Sequence, residues 1–192
     1  MAVPTLCLPT EIVHTARLVL RAASERYACD LQAYYLENRE HLQPWEPLRP
    51  SGFFEADAIA QRLRLMEQHN AAGNALYLLV HRPESGEVIG DCNFTNIVRG
   101  PFQACHLGFS IAKQAEGQGL MRESLTFAIE HVFKNLKLHR IMANYQLENT
   151  RSARLLERIG FEREGQARSY LKINGSWADH VLTSLLNPEE VE

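Results

Sequence analysis

The segment with the clearest chemical potential is residues 110–120, which read SIAKQAEGQGL and include Gly117 and Gly119. Glycines let the backbone approach a ligand closely, because they carry no side chain. An apolar run indicates a strand before this segment, and a periodic apolar stripe indicates a long helix after it. The first N–H groups of a helix lack intrahelical partners and lie at the positive end of its dipole. The pattern therefore predicts a loop that binds phosphate groups.

Spacing excludes two common phosphate-binding motifs at this position. A P-loop needs Gly-Lys-Ser/Thr at its end, whereas Leu120 follows Gly119. A dinucleotide-binding fingerprint needs a third glycine where this chain has Arg122. The pattern that remains is Gln114-x-x-Gly117-x-Gly119.

A second motif lies nearer the carboxyl end, where Asn149-x-x-Ser152 precedes two leucines and the pair Gly160-Phe161. Asn and Ser are favoured helix N-cap residues, so one interpretation is that they begin a helix. The other interpretation is that they contact a bound ligand. The residues by themselves leave both open.

Together the two motifs resemble those of the GCN5-related N-acetyltransferase superfamily, whose glycine loop holds the pyrophosphate of coenzyme A. The resemblance implies acetyl-CoA as cosubstrate, no metal, and contacts from the Asn and the residue three positions later to the pantetheine arm. It also implies that a backbone N–H near residues 109–111 polarises the thioester carbonyl. The residues that it places at the cofactor are Phe109, Ser110, Ile111, Gln114, Gly117, Gln118, Gly119, Leu120, Met121, Asn149 and Ser152.

Longer segments resemble one branch of that superfamily, the RimJ-type ribosomal-protein-alanine acetyltransferases. The matching text spans residues 15–186, and its PWEP and FTNIVRG segments are the ones that point to this branch. The resemblance implies acetyl transfer to the N-terminal alanine of a small-subunit ribosomal protein by direct attack. The partner would be that protein or the ribosomal particle that carries it. Two alternatives are an acetyltransferase for a small-molecule amine and a CoA-binding ribosome-assembly factor.

Proton transfer in such a reaction has three main candidates, His106, Glu46 and Ser152. His106 lies on a predicted strand where relatives often have Glu, and an imidazole titrates near neutral pH. Glu46, within PWEP, is the rival general base. The structural alternatives are a half-buried histidine and a carboxylate that stabilises a turn. Relatives often have a Tyr general acid where this chain has Leu156, so Ser152 is the candidate proton donor to the thiolate, with Tyr145 a lesser one.

The elements that must position these residues follow from hydrophobic periodicity and turn signals. Asn174-Gly175 is a strong two-residue hairpin signal. The order β-α-α-β-β-β-α-β-α-β-β predicts an α/β fold with a mixed sheet, and the resemblance adds the GNAT fold with splayed central parallel strands. The strands are predicted at 12–21, 75–80, 88–98, 103–111 and 140–145 and on both sides of 174–175, with helices after Ser24 and at 55–72, 120–136 and 151–159, and a loop or short turns at 42–54.

Three aromatic residues lie in or beside these predicted loops and turns. Trp45, next to prolines, could line the acceptor groove, and the favoured expectation is that it packs and anchors its loop. Tyr170 and Trp177 flank the predicted last hairpin and are expected to close the core or the substrate cleft.

Composition places the chain among globular proteins, with 45% hydrophobic and 22% charged residues, and excludes disordered, collagen-like and coiled-coil classes. A formal net charge of −3 argues against DNA binding, and the short apolar runs and the amino-terminal sequence argue against a membrane or secretory protein. Four cysteines without metal-ligand spacing predict reduced thiols in the cytoplasm and no metal site, with Cys92 and Cys105 in the core. The 192 residues are expected to form a single domain, 1–192, with a core of about 12–187, as a monomer or homodimer.

Overall fold

The fold is taken from a computed structural model, which describes residues 11–189. Nine strands and five helices follow one another in these residues. Short 3-10 turns lie between them at Glu25–Tyr27, Gln43–Trp45, Ser51–Phe54 and Lys113–Ala115. In chain order the elements are β1 (Glu11–His14), β2 (Val19–Ala22), α1 (Ala28–Glu37), α2 (Arg39–Leu42), α3 (Ala56–Ala71), β3 (Leu76–His81), β4 (Val88–Val98), β5 (Ala104–Ile111), α4 (Leu120–Leu136), β6 (Arg140–Met142), β7 (Tyr145–Gln146), α5 (Thr150–Ile159), β8 (Glu162–Ile173) and β9 (Ser176–Leu186).

All nine strands form a single mixed sheet. Strands β1 to β5 pair in sequence order and antiparallel, as a meander. Strand β9 pairs antiparallel with β6, β7 and β8. The single parallel pair in the described chain joins β5 to β6. The strand order places this pair in the interior of the sheet.

The parallel pair is short, and the two strands then separate. Ala104, Cys105 and His106 pair with Arg140, Ile141 and Met142. Beyond His106, β5 continues to Ile111. The segment that follows β6 turns away from β5 and stays bonded to β9, with the Ala143 N–H donating to the Thr183 carbonyl at 3.0 Å. The edge of β5 that faced β6 therefore has no strand partner over residues 107–111, in the middle of the sheet. The predicted mixed sheet with splayed parallel strands is confirmed.

Helices cover both faces of the sheet. Helix α4 packs on the face that carries Cys92, whose sulfur lies 3.9 Å from the Met121 sulfur. Helix α1 packs on the other face, where the Tyr34 hydroxyl lies 2.8 Å from Ser110 Oγ, and α3 packs beside α1. Cys92 and Cys105 are both fully buried, so their predicted place in the core is confirmed.

Two predicted strands are divided in the structure. The strand predicted at 12–21 is a hairpin, β1–β2, because the Thr15 hydroxyl accepts the Leu18 N–H at 2.9 Å and closes a turn. The strand predicted at 140–145 is interrupted at Ala143 and Asn144, where the chain leaves β5. Both predictions were wrong in giving one continuous strand. A local side-chain hydrogen bond and a change of strand partner do not alter the pattern of apolar residues from which the strands were predicted.

Other predicted elements agree with the structure. Helix α4 spans the predicted residues, and the predicted loop at 42–54 consists mainly of two 3-10 turns. The first predicted helix is divided into α1 and α2 at Asn38, whose side chain donates to the Tyr34 carbonyl at 2.9 Å. Asn174 and Gly175 have φ values of 44° and 87°, which confirms the two-residue hairpin turn.

Residues 11–189 contain no helix that is both long and apolar enough to cross a membrane. The same residues bring no three His, Cys, Asp or Glu side chains close enough to bind a metal ion. Cys29, Cys92 and Cys105 are free thiols, and Cys7 lies outside the described residues.

Candidate active site

The predicted phosphate loop lies between the end of β5 and the start of α4. Gly117 and Gly119 have φ values of 73° and 75°, a conformation that glycine adopts without strain. Gly119 is the N-cap of α4, and the first bond of the helix runs from the Glu123 N–H to the Gly119 carbonyl at 3.0 Å. The N–H groups of residues 120–122 precede that bond, so they are free to bind an anion.

Side chains hold this loop in place from several directions. Arg17 donates to the Gln118 carbonyl at 3.0 Å and to Glu123 Oε2 at 2.8 Å. Gln118 in turn donates to the Gln114 carbonyl at 2.7 Å. Asn38 accepts the Lys113 N–H at 2.9 Å, which ties the loop to the break between α1 and α2.

The two carboxylates that flank the loop are neutralised. Glu116 pairs with Arg151 at 2.5 Å and lies 3.5 Å from the His41 ring, and Glu123 pairs with Arg17. An anion at the free N–H groups therefore does not face an uncompensated negative charge.

The Arg151–Glu116 pair also brings the start of α5 against the loop. Asn149 is the N-cap of α5, and its side chain accepts the Ser152 N–H at 3.0 Å, so the capping interpretation is confirmed for Asn149, whereas Ser152 lies within the first turn of the helix. Ser152 is half-buried. Since β5 and β6 are parallel, the segments that follow them lie at the same edge of the sheet, which places Asn149 and Ser152 near the loop.

Polar side chains line one face of the sheet beside the point of separation. On β5, His106, Gly108 and Ser110 share this face, because alternate residues of a strand point the same way. On β4, their cross-strand partners are Thr95, Asn93 and Asp91 respectively. Gly108 is exposed, and a Cβ added there would meet no atom within 4 Å, so open space lies between His106 and Ser110.

His106 is the last residue of the parallel pair, opposite Met142. Its Nδ1 is buried and has no hydrogen-bond partner among the described residues. Burial lowers the pKa of the ring, so the imidazole is neutral at pH 7 and able to accept a proton.

Glu46 lies on the segment between α2 and α3. Its Oε2 accepts from Arg49 Nε at 3.1 Å and Nη2 at 3.0 Å, and its backbone carbonyl accepts the Asn174 N–H at 2.8 Å. These bonds match the interpretation of Glu46 as a carboxylate that stabilises a turn, and they dock the segment on the β8–β9 hairpin.

Of the two other positions considered for the proton donor, one holds a leucine, which cannot transfer a proton, and the other holds Tyr145. Leu156 is 1% exposed and packs in the core, and Tyr145 on β7 is half-buried.

The tryptophans are more exposed than expected. Trp45 is 40% exposed and Trp177 is 64% exposed, so the predicted packing of Trp45 is incomplete and Trp177 closes no core. Leu48, beside Trp45 on the segment that docks on the hairpin, is 63% exposed. Trp45, Leu48 and Trp177 are therefore three exposed apolar side chains on this segment and on the hairpin that it contacts.

Asp91 is the residue of this site that the sequence analysis missed. It is 7% exposed, with Oδ2 accepting from Ser110 Oγ and Oδ1 accepting from Asn93 Nδ2, both at 2.9 Å. Burial raises the pKa of the carboxyl to about 7, with a smaller contribution from the negative charge of Glu46. The available signal was a charged residue inside the apolar strand sequence VIGDCNF.

The structure fits coenzyme A at this site on two observations. The unpaired edge of β5 at residues 107–111 offers backbone N–H and C=O groups to an extended ligand arm, as a strand edge does to a peptide. The glycine loop offers free N–H groups at a helix start to a diphosphate.

A family sequence model described as the acetyltransferase (GNAT) domain matches residues 17–162. The [ribosomal protein uS5]-alanine N-acetyltransferase of Escherichia coli (strain K12) is 45% identical over 182 residues, which cover 95% of this chain and 94% of that protein.

Two solved structures are similar over most of the chain. The ribosomal-protein-S5-alanine acetyltransferase of Vibrio fischeri has a TM-score of 0.90 and 36% identity, covering 96% of this chain and all of that one (100%). Mycobacterium smegmatis RimJ, in complex with CoA-disulfide, has a TM-score of 0.85 and 26% identity, covering 91% of this chain and 84% of that one.

Proposed function

The chain belongs to the GNAT acetyltransferase family and is an N-acetyltransferase, and we propose that it acetylates the N-terminal alanine of a small-subunit ribosomal protein. The observation that carries the proposal is the 45% identity to the E. coli enzyme over 95% of the chain. Identity of that extent includes the segments on both sides of the cleft, and the acceptor side is where enzymes of one fold differ.

Exposed apolar side chains on the Glu46 segment and the last hairpin support a polypeptide acceptor. Trp45 and Leu48 come from one segment and Trp177 from the hairpin on which that segment docks. An exposed apolar surface beside a reaction cleft is typical of a site that binds a protein chain. A small polyamine would have little to bury against it.

For the cosubstrate, we propose acetyl-CoA, which supplies an activated acetyl thioester when bound. The N–H groups of residues 120–122 hold the diphosphate, with Gly117, Gln118 and Gly119 forming the loop beneath it and Gln114 and Met121 at its flanks. The backbone edge at Phe109, Ser110 and Ile111 holds the arm and polarises the thioester carbonyl, and Asn149 and Ser152 contact the arm from the other side of the splay.

The reaction we propose is direct attack of the acceptor amine in a complex of enzyme, peptide and cosubstrate. His106 and Glu46 are the candidate general bases that the sequence identified, and Ser152 is the candidate proton donor to the departing thiolate. Of the two bases, His106 has the better surroundings, because its ring is neutral at pH 7 while Glu46 is paired with Arg49.

An N-terminal amine needs only a weak base, because a sizeable fraction of it is already neutral at pH 7. An α-amino group with a pKa near 7.8 is roughly 14% neutral at pH 7, whereas a lysine amine near 10.4 is roughly 0.04% neutral, a difference of about 3.5 kcal/mol. A site without a strong ionised base can therefore serve an α-amine.

The test is an acetylation assay with purified full-length protein and acetyl-CoA. The acceptors are a peptide with the N-terminal sequence of ribosomal protein uS5, the same peptide with its α-amine blocked, and spermidine. We expect free thiol release and a one-acetyl mass gain with the first peptide only. Release with spermidine and not with the peptide would show a small-amine acetyltransferase instead.

The alternative hypothesis, a CoA-binding ribosome-assembly factor, predicts a different result. It would co-sediment with precursor ribosomal particles, and Gly117→Glu would leave that association intact. The proposed enzyme acts on a ribosomal protein, so we place it in the cytoplasm, where its free cysteines would stay reduced.

A further inference from the structure

Asp91 is buried without a cation. Its two oxygens accept from neutral donors, Ser110 and Asn93, and no basic side chain of residues 11–189 forms an ion pair with it. Burying a carboxylate without a cation costs stability. A titratable group kept in such surroundings beside a reaction cleft is a candidate for function.

The hydrogen bonds around Ser110 have a fixed direction when Asp91 is ionised. A hydroxyl has one proton and two lone pairs. Ser110 Oγ gives its proton to Asp91 Oδ2 at 2.9 Å, so the Tyr34 hydroxyl at 2.8 Å must donate to Ser110. One lone pair of Ser110 Oγ remains free. It belongs to a half-buried residue next to the open space at Gly108, on the face that lines the cleft.

We propose that Ser110 and Asp91 together take the proton from the acceptor ammonium group. The ammonium donates a hydrogen bond to the free lone pair of Ser110 Oγ. As that N–H bond breaks, Ser110 gains the proton and passes its own to Asp91 Oδ2, where a new O–H bond forms. The products are a neutral amine, a restored Ser110 hydroxyl and a neutral Asp91. After the acetylated product leaves, the same path returns the proton to water.

The proton affinity of Asp91 suits this step. With its pKa raised by burial to about 7, transfer from an α-ammonium group near 7.8 is unfavourable by only about sixfold. For an ordinary aspartate near 3.9 the same transfer would be unfavourable by about ten-thousandfold. The titratable and charged groups that face Asp91 are Tyr34 and Tyr35 on α1, Tyr77 on β3, His106 on β5, and Glu46 and Arg49 on the segment between α2 and α3.

The inference rests on the proposed function only in taking an N-terminal amine as the acceptor. Its test compares Asp91→Asn and Ser110→Ala with the wild-type enzyme, using kcat from pH 6 to 9.5 with the alanine peptide. Glu130→Gln is the matched control, because Glu130 is an exposed carboxylate on the far half of α4. Acetyl-CoA binding by each variant reports whether it is folded.

We expect kcat of Asp91→Asn to fall about a hundredfold at pH 7, within the usual range for loss of general base catalysis. At pH 9.5 the loss should shrink to about fifteenfold, because the neutral fraction of the amine is then about seven times that at pH 7. Ser110→Ala should show the same pH dependence, and it leaves Asp91 in place if Asp91→Asn does not fold. A merely structural role would give a loss that does not change with pH.

Two kinetic results would overturn the proposal. One is a loss in Asp91→Asn that is equal at all pH values. The other is a pH-dependent loss that appears in His106→Ala and not in Asp91→Asn. A separate measurement needs no acceptor: carboxyl carbon NMR, with Asp91→Asn to assign the signal, should give a titration midpoint near 7. A midpoint near 4 would overturn the proposal, whereas failure to acetylate the alanine peptide with a midpoint near 7 would overturn only the proposed acceptor.

Discussion

The two sides of the cleft are built in different ways. The side that we propose for the cofactor consists mostly of backbone: the unpaired edge of β5 at residues 107–111, the two left-handed glycines and the first turn of α4. The side that we propose for the acceptor consists of side chains from α1, β4, β5, the segment between α2 and α3, and the last hairpin. A site made of backbone is encoded by a short local motif, whereas a site made of side chains depends on residues that only the fold brings together.

The largest effect is expected from a change on the cofactor side. Gly117→Glu places a Cβ at a φ of 73° and adds a negative charge where a diphosphate would bind. We expect acetyl-CoA binding, measured by calorimetry, to weaken about a thousandfold, which is about 4 kcal/mol.

Gly100→Glu is the control for backbone strain and added charge. Gly100 has a φ of 74° and open space around it, and it lies in the β4–β5 turn at the opposite end of β5. The Gly100→Glu variant should retain its affinity for acetyl-CoA. If both variants lose affinity equally, the loss reflects stability and not a binding loop at residue 117.

On the acceptor side, Asp91→Asn is expected to make the protein more stable. The pKa of Asp91 is about 7 in the folded chain against 3.8 for an ordinary aspartate. The native state therefore binds the proton more tightly, and the stability from this group falls as pH rises from about 4 to about 7. A difference of three pKa units corresponds to about 4 kcal/mol of unfolding free energy. We expect Asp91→Asn to raise the free energy of unfolding at pH 8 by half of that, about 2 kcal/mol.

Urea unfolding of both proteins at pH 5 and pH 8 measures this gain. The gain should shrink at pH 5, where Asp91 is largely protonated in the native state. An equal gain at both pH values would mean that packing, and not the carboxylate charge, sets the difference. Glu130→Gln should show no such pH dependence.

The same contrast explains how much the sequence could predict. The α4 boundaries, the glycine loop and the Asn174-Gly175 turn were predictable, because each depends on local periodicity or on residues that adopt positive φ. The division of the strand at 12–21 was not predictable. It depends on the hydrogen bond of the Thr15 hydroxyl, which the pattern of apolar residues does not show.

Of the residues that we propose for proton transfer, the sequence predicted His106 but not Asp91. His106 could be found because its residue type suits proton transfer and it lies near the loop. Asp91 precedes Ser110 by nineteen positions, and its importance comes from burial by α1 and from two neutral donors, which a single sequence does not show.

His106→Ala is expected to lower kcat about tenfold and leave acetyl-CoA binding unchanged. If Ser110 and Asp91 take the ammonium proton, the neutral ring of His106 only accepts a hydrogen bond from the amine, and the loss should be constant from pH 7 to 9, whereas a loss that shrinks toward pH 9 would make His106 the general base. This distinguishes it from Asp91→Asn, whose loss should diminish as pH rises.

His131→Ala is the matched control, since the Nε2 of His131 is also buried without a partner and burial lowers its pKa too. It lies on α4, away from the cleft face of β5. Unchanged turnover of His106→Ala from pH 6 to 9 would remove His106 from the mechanism.

The smallest effect is expected at the mouth of the acceptor side. Trp177 is 64% exposed on the hairpin that holds the segment of Trp45 and Leu48. Trp177→Ala should raise the KM for the alanine peptide about threefold, close to 1 kcal/mol, because part of the apolar contact is lost. Phe102→Ala is the control, because Phe102 is 47% exposed in the β4–β5 turn. A KM for the peptide that is unchanged in Trp177→Ala, or raised equally in both variants, would show that the exposed aromatic surface takes no part in acceptor binding.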